Sequence, residues 1–307
     1  MSSVKNKTAE ASSIPVIQSG HALQSLRDSG HSLPTALGEV IDNSLEAKAN
    51  NIWVRLDEGT NGRGKKHVHR IAIADDGRGM DINTLHHYLQ LGYSSRYMRN
   101  DTIGKYGVGA KLAALNFGRR IDVWSRQEAE EPWQHVEFDL EEAIKEEKKG
   151  NIAGLKHPTP TPVPDDFQDL LPEVSGTLVV WSHVDRLEEG RMAANFLDLK
   201  REVEKELARI FRYFIDGGIK LLINGRALIP HDPLMLMENS WADMVLNKYY
   251  KKGEGKKKSP DLHYAAKEIA DEDIKVAGSV ARLRVTLYPK EVLRKRGLGG
   301  DNLAKEL

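Results

Sequence analysis

From Ser32 onward the spacing of apolar and polar positions divides the chain into helical and extended stretches. Leu33, Ala36, Leu37, Val40, Ile41, Ser44 and Leu45 recur at intervals of three and four, which places them on one face of a helix. Ser32, with Pro34 two residues on, supplies the start signal. Asn50 and Asn51 end the helix. Ile52-Trp53-Val54-Arg55-Leu56 then alternates with a period of two and predicts a half-buried strand. Residues 59–66 read as a turn and 69–74 as the paired strand, which runs straight into Asp75-Asp76-Gly77-Arg78-Gly79-Met80.

A helix over 82–91, a polar loop and a glycine-rich turn opening a helix over 110–117 come next. Residues 121–126, 135–140 and 176–182 read as strands. A charged helix and a proline-rich surface connection, 157–164, lie between the last two. Helices and strands in this mixed order predict an α/β (α+β) sandwich of two layers. Near Asp198 the character changes to a long charged amphipathic helix over 198–215, stopped by Gly217-Gly218, and a domain boundary is expected there. A second small α/β unit is then built from a strand over 219–223, the turn Asn224-Gly225 and a strand over 277–288, with 248–258 as an exposed Lys/Gly-rich loop. The expected division is a disordered arm over 1–15, a first domain over 16–197 and a second over 198–307. The uncapped helical pattern at 302–307 reads as truncation of that second unit.

Composition narrows the function classes. Lys plus Arg and Asp plus Glu each number 45 in 307 residues, so no global field draws the chain to nucleic acid or an anionic membrane, and such binding would be local. Cysteine is absent, which removes disulfides, thiol catalysis and cysteine-ligated zinc. The opening residues are polar and no stretch approaches the roughly 20 apolar residues of a membrane span. A cytoplasmic protein without a membrane partner is the expectation.

Three short constellations carry chemistry. Glu39 and Asn43 lie at i and i+4, so their side chains project side by side, an acid suited to activating water beside a carboxamide oxygen suited to a metal; Asp42 is a nearby second acid. A solvated helix face is the bland alternative, and the interruption of an apolar run weighs against it. Asp75-x-Gly77-x-Gly79-Met80 comes after a strand, where glycines give a tight turn and room for a flat ring, and the Asp75 carboxylate suits an exocyclic amine such as that of adenine; an ordinary turn is the alternative. Gly104-Lys105-Tyr106-Gly107-Val108-Gly109-Ala110-Lys111 sets three glycines before a helix, where free N–H groups favour phosphate. Lys105 and Lys111 add charge, and Ser94-Ser95-Arg96 add donors. The segment is not a P-loop, and a flexible turn remains its alternative.

The order of these elements resembles the GHKL ATPases, the superfamily of gyrase, heat-shock chaperones, histidine kinases and MutL. Glu39-x-x-x-Asn43 followed by Glu46-Ala47 is similar to the family's N box, Asp75-x-Gly77-x-Gly79 to its first glycine motif, and Gly104-x-x-Gly107-x-Gly109 to its second. Gly176-Thr177 is similar to the position whose threonine joins the adenine-side hydrogen bonds. Tyr106-Gly107-Val108-Gly109 with Lys111 looks most like the MORC and heat-shock chaperone branches, and 38–47 like the MORC and MutL form. Residues 219–233 resemble the start of a transducer domain. Asp76 departs from the asparagine of many relatives, and the expected truncation of the transducer puts in doubt the trans-acting lysine usually contributed by its end.

The resemblance implies a Bergerat-type ATP-binding fold followed by a partial transducer, with ATP and Mg²⁺ as cofactors. Glu39 becomes the general base, Asn43 the Mg²⁺ ligand and Asp75 the reader of the adenine amine, with Ala47, Gly77, Gly79, Met80 and Thr177 around the nucleotide. Gly104 to Gly109, with Ala110, becomes a lid over the phosphates, and Lys111 stabilises charge in a slow ATP hydrolysis. Lid closure implies an ATP-dependent homodimer. A histidine kinase is disfavoured because only His21 and His31 precede the N box. A nucleotide-gated module with little hydrolysis and a chaperone-like ATPase are the rival functions. Lys256-Lys257-Lys258 and Arg294-Lys295-Arg296 read either as DNA-phosphate contacts of a clamp or as solvated surface.

Overall fold

The computed structural model describes residues 19–27, 32–60, 64, 66–90, 109–151, 154–187, 195–251 and 266–288. After α1 (Ser19–Leu26), α2 (Leu33–Glu46) starts where the sequence signals it: Ser32 is the N-cap, its Oγ accepting the Thr35 N–H at 3.4 Å, with Pro34 in the first turn. β1 (Asn51–Thr60) and β2 (Lys66–Asp75) pair antiparallel with Ile52 opposite Asp75, so both strands run further into the expected turn than their alternation indicates. Asp81 caps α3 (Ile82–Tyr88), and α4 (Gly109–Phe117) leads directly into β3 (Gly118–Arg126). Next in the chain are β4 (Gln134–Asp139), α5 (Leu140–Lys148), β5 (Thr159–Pro160), a 3₁₀ turn (Asp165–Leu170) and β6 (Gly176–Val184).

These strands join β7 (Lys220–Ile223) and β8 (Arg226–Ala227) in one sheet of order β5-β4-β3-β6-β2-β1-β7-β8. Every described pair is antiparallel except β1 with β7. The central strands are apolar at both parities. Ile71, Ile73, Val179 and Trp181 face the core under the helices, whereas Ala72, Ala74, Leu178 and Val180 face the other side. That second face is covered by residues 157–175: Val163, Phe167 and Leu170 are buried on it, so this stretch is more than the surface connection expected. Phe167 is 3% exposed, and the Arg70 and Arg55 guanidiniums lie 4.5 and 5.0 Å from its ring centroid. Those arginines are held in turn by Asp57, Asp166 and Asp169.

α6 (Phe196–Ile210) inserts Leu199, Val203 and Leu207 into the same core as α2, and Leu221 of β7 registers with Ile52. The sequence pattern sets these elements beyond a boundary near Asp198, yet they share one core and one sheet with the elements before it. The expected helix over 198–215 divides at Phe211 into α6 and α7 (Arg212–Asp216), and the buried Phe211 ring lies against Gly38. Asn224 sits at φ 46° in the β7–β8 turn, and its side-chain amide accepts from Leu56 N at 3.1 Å and donates to Leu56 O at 2.9 Å, extending the β1–β7 pairing.

α8 (Trp241–Lys251) packs Ala242, Val245 and Leu246 against Met235 and Ala266 in a separate small core. The strand expected over 277–288 is β10 (Ser279–Leu287), hairpin partner of β9 (Lys267–Val276). β9 escapes sequence reading because its acids obscure the alternation; Asp271 and Glu268 are paired across the hairpin with Arg282 and Arg284. Of the 248–258 loop, 248–251 end α8 and the remainder, like 1–15 and 302–307, lies outside the described residues. Among the described residues no helix is long and apolar enough to cross a membrane.

Truncating Phe167 opens a cavity in the second core and leaves two guanidiniums without their ring. Phe167→Ala is expected to lower the unfolding free energy by about 3 to 5 kcal/mol and Phe167→Leu by much less, measured by urea denaturation.

Candidate functional site

The end of β2, the end of α2 and the tops of β3 and β6 converge on Asp75, which is 6% exposed. Its position is set by the register, which puts Asp75 beside Thr177, itself beside Ser125. Ser44, one residue beyond Asn43 on the buried face of α2, donates from Oγ to Asp75 Oδ2 at 2.9 Å. Gly77 N–H donates to Asp75 Oδ1 at 2.9 Å, and the Thr177 amide also donates to the carboxylate.

The glycines serve the chain itself. A Cβ on Gly77 would stand 2.8 Å from Ala47 Cβ, and one on Gly79, at φ 65°, only 2.0 Å from the Arg126 carbonyl oxygen. The room they leave is thus filled first by the α2 terminus and the end of β3, a stricter requirement than the flat ring expected from sequence. Arg78 N–H donates to Ala47 O at 3.0 Å, which ties the turn to the helix end. Met80 N–H donates to Ser125 Oγ at 2.9 Å; Ser125 Oγ donates to Gly176 O at 3.0 Å and shares a 3.0 Å contact with Thr177 Oγ1. Ser175 Oγ closes the ring by donating to Gly77 O at 2.8 Å.

Glu39 is half-buried and Asn43 exposed one turn later on α2, so the acid and the carboxamide open to the same side of the helix. Burial raises the Asp42 carboxyl above its ordinary value, with the Glu39 charge adding to it. Tyr88, at the end of α3, is hydrogen-bonded with the Asn43 side chain; its phenol is pushed up to about 12 by burial, against that hydrogen bond, with the Asp75 charge adding to the rise. Gly109, Ala110 and Lys111 form the first turn of α4, and their side-chain surroundings lie outside the described residues, as do Ser94, Ser95, Arg96, Gly104, Lys105, Tyr106, Gly107 and Val108.

The residues brought together are therefore Glu39, Asn43, Ala47, Asp75, Gly77, Gly79, Met80 and Thr177, joined by Ser44, Tyr88, Ser125 and Ser175, which sequence reasoning did not assign to the site. Ser44 alone carried a signal, a hydroxyl on an otherwise apolar helix face. The three others become visible only through strand register and helix packing. The donor set suits an adenine nucleotide: a recessed carboxylate for an amine, a threonine beside it, and a carboxamide at the open end. A second cluster, Asp122, His135 and Glu137, has ligand atoms within 4.8 Å of one another, but the Arg120 guanidinium donates to both carboxylates and supplies the cation.

Burial raises the Asp75 carboxyl to about 6 and the neighbouring Asp76 charge adds to this, against the hydrogen bonds from Gly77, Ser44 and Thr177. Relative to an ordinary value of 3.8, the ionised form costs the folded state on the order of 3 kcal/mol above pH 7 and nothing below about pH 4. The sign is that of a raised carboxyl: stability present at low pH is lost as pH rises through about 6. Asp75→Asn, which like the protonated acid keeps one acceptor oxygen and the shape, is expected to match the native chain in urea denaturation near pH 4 and to exceed it at pH 8. Its affinity for ATP at pH 8 should fall, because an amide offers the adenine amine a weaker acceptor.

Residues 31–177 match the family described as histidine kinase-, DNA gyrase B-, and HSP90-like ATPase. Protein MICRORCHIDIA 7 from Arabidopsis thaliana is 34% identical over 92 residues, covering 30% of this chain and 13% of that protein. MICRORCHIDIA 5 from the same plant is 36% identical over 93 residues, covering 30% and 13%. The matched stretch thus spans a small part of the length of these relatives. Among solved structures, the ATPase and transducer domains of DNA topoisomerase II from Balamuthia mandrillaris align with a TM-score of 0.41 at 18% identity, covering 64% of this chain and 48% of that one. The described motifs, those of α2, of 75–79 and of 176–177, meet at Asp75, and residues 31–177 of this chain resemble an ATP-binding domain of the GHKL type.

Proposed function

We propose that the chain binds ATP with Mg²⁺ in the cleft between α2, α3 and the end of β2, hydrolyses it slowly, and converts closure over the phosphates into dimerisation in the cytoplasm. The observation that carries this reading is the buried Asp75 carboxylate, kept ionisable by three donors although its charge is costly there. Such a group suits the adenine amine. Asn43, exposed and steadied by Tyr88, would hold Mg²⁺, which neutralises phosphate charge when bound. Glu39 is placed one turn away to orient and deprotonate a water. The first turn of α4, with its free N–H groups and the positive end of the helix dipole, would serve the phosphates.

Coupling to the second half of the chain is supported by α6. Phe211 packs at 3.8 Å from where a Cβ on Gly38 would lie, so a shift of the residue next to Glu39 is felt at the α6–α7 junction. We take 198–307 as the transducer-like unit that passes on this shift, with DNA as the partner class on the strength of the basic runs at 256–258 and 294–296.

Glu39→Ala is expected to bind ATP within about threefold of the native chain and to lose at least about 100-fold in single-turnover hydrolysis at high enzyme concentration. Full hydrolysis in the variant removes Glu39 as base; absent hydrolysis in both proteins favours a nucleotide-gated module. Multi-angle light scattering should show the mass doubling with a non-hydrolysable ATP analogue and not with ADP. An unchanged mass would exclude dimerisation as the output.

A further inference from the structure

Arg27 is the most deeply buried charged side chain outside the cleft among the described residues, 2% exposed and set just after α1. Its Nε donates to the Leu115 carbonyl at 2.6 Å, Nη1 donates to Asp185 Oδ2 at 3.2 Å, and Nη2 donates to Asp185 Oδ1. Leu115 lies in the last turn of α4, where carbonyls have no partner within the helix, and a cation there also meets the negative end of the helix dipole. Asp185 adds a second tie through its own backbone, its N–H donating to Phe117 O at 3.2 Å. The C-terminal end of α4 is therefore clamped at two carbonyls.

Only an arginine can span this geometry, because its fork serves a carbonyl with one edge and a carboxylate with the other. Asp185 does not require Arg27 for its charge. Arg119 Nε donates to it at 2.6 Å from a half-exposed position and also reaches Glu141 at 3.1 Å. Burial pushes the Asp185 carboxyl up, yet the two guanidiniums hold it below the ordinary carboxylate range. What Arg27 alone provides among these side chains is the hydrogen bond to the Leu115 carbonyl of α4. The other end of that nine-residue helix is Gly109, the last glycine of the loop, followed by Lys111. A helix is stiff over so short a length, so fixing one end fixes the direction in which the other presents its N–H groups.

We propose that Arg27 is a positioning residue for the nucleotide phosphates, holding α4 from behind so that its first turn meets them in register. The proposal rests on the reading of the cleft as an ATP site. It separates two halves of recognition: the adenine half, built on Asp75, is independent of Arg27, and the phosphate half is not.

Calorimetric titration of ATP and of adenosine tests it on Arg27→Lys, which keeps the charge but cannot serve both partners, beside Arg119→Ala, which also loosens Asp185 but leaves Leu115 untouched. Arg27→Lys is expected to lose roughly tenfold in ATP affinity, the scale of one charge-assisted contact, with adenosine affinity unchanged and Arg119→Ala unaffected for both ligands. An unchanged ATP affinity, equal losses for ATP and adenosine, or the same loss in Arg119→Ala would each overturn the proposal. Arg27→Gln, neutral but able to donate to Leu115 O, replaces the lysine variant if that chain does not fold, with the same comparison. A native chain that binds neither ligand would instead refute the ATP site itself.

Discussion

A carboxylate buried beneath the end of α2 governs the structure around it. Asp75 occupies a place where an ionised group is costly, and the fold answers with a donor from each neighbouring element: Ser44 from α2, Gly77 from the turn after β2, Thr177 from β6. Each donor imposes a further constraint. Ser44 must face inward on an otherwise apolar helix, the turn must tighten until Gly77 abuts Ala47, and β6 must begin level with the end of β2. The last constraint reaches Gly176, where a Cβ would stand 2.0 Å from the Asp75 carbonyl oxygen. The glycines at 77, 79 and 176 thus belong to one requirement, a close approach of backbone segments around one charge.

Much of this was legible in the sequence, for a physical reason. α2 shows a strong 3.6-residue period, a serine cap and a proline in its first turn, and these local signals survive into the structure because nothing tertiary opposes them. Glu39, Asn43 and Asp75 were legible because polar groups interrupt apolar runs at helix or strand-end positions. Ser125, Ser175 and Tyr88 were not, since their roles depend on partners distant in the chain, 45 positions for Ser125 with Met80 and 98 for Ser175 with Gly77, and a lone serine on a strand has no distinguishing pattern. Arg27 was hidden for the same reason: its partners Leu115 and Asp185 lie 88 and 158 positions along the chain.

The two-faced central strands explain where domain reading from sequence is least informative. Because β2 and β6 are apolar at both parities, they require cover on both sides, supplied by α2, α4 and α6 on one and by residues 157–175 on the other. The amphipathic α6 looked like the opening of a new unit because its exposed face is heavily charged. Its buried face, Leu199, Val203 and Leu207, nevertheless belongs to the core that α2 needs. A helix of this kind is suited to transmission, being packed against the helix that carries Glu39 while leading through α7 into β7.

Asp76 shows how the site and the scaffold share one dipeptide. Where many relatives of the family have asparagine, this carboxylate accepts the Asn50 and Asn51 N–H groups, both at 2.8 Å, and the Asn51 side-chain amide at 2.5 Å. An asparagine would offer one acceptor oxygen to three donors; the carboxylate offers two and so binds the end of α2 to the start of β1 more firmly. The same charge lies next to Asp75 and helps raise its carboxyl toward neutrality. The two acids therefore divide the work by partner, Asp76 joining the end of α2 to the start of β1 and Asp75 joining α2, the turn after β2 and β6. The firmness of the α2–β1 junction is obtained with a charge that leaves Asp75 closer to accepting a proton, so the scaffold's gain and the cleft's sensitivity to pH have the same source.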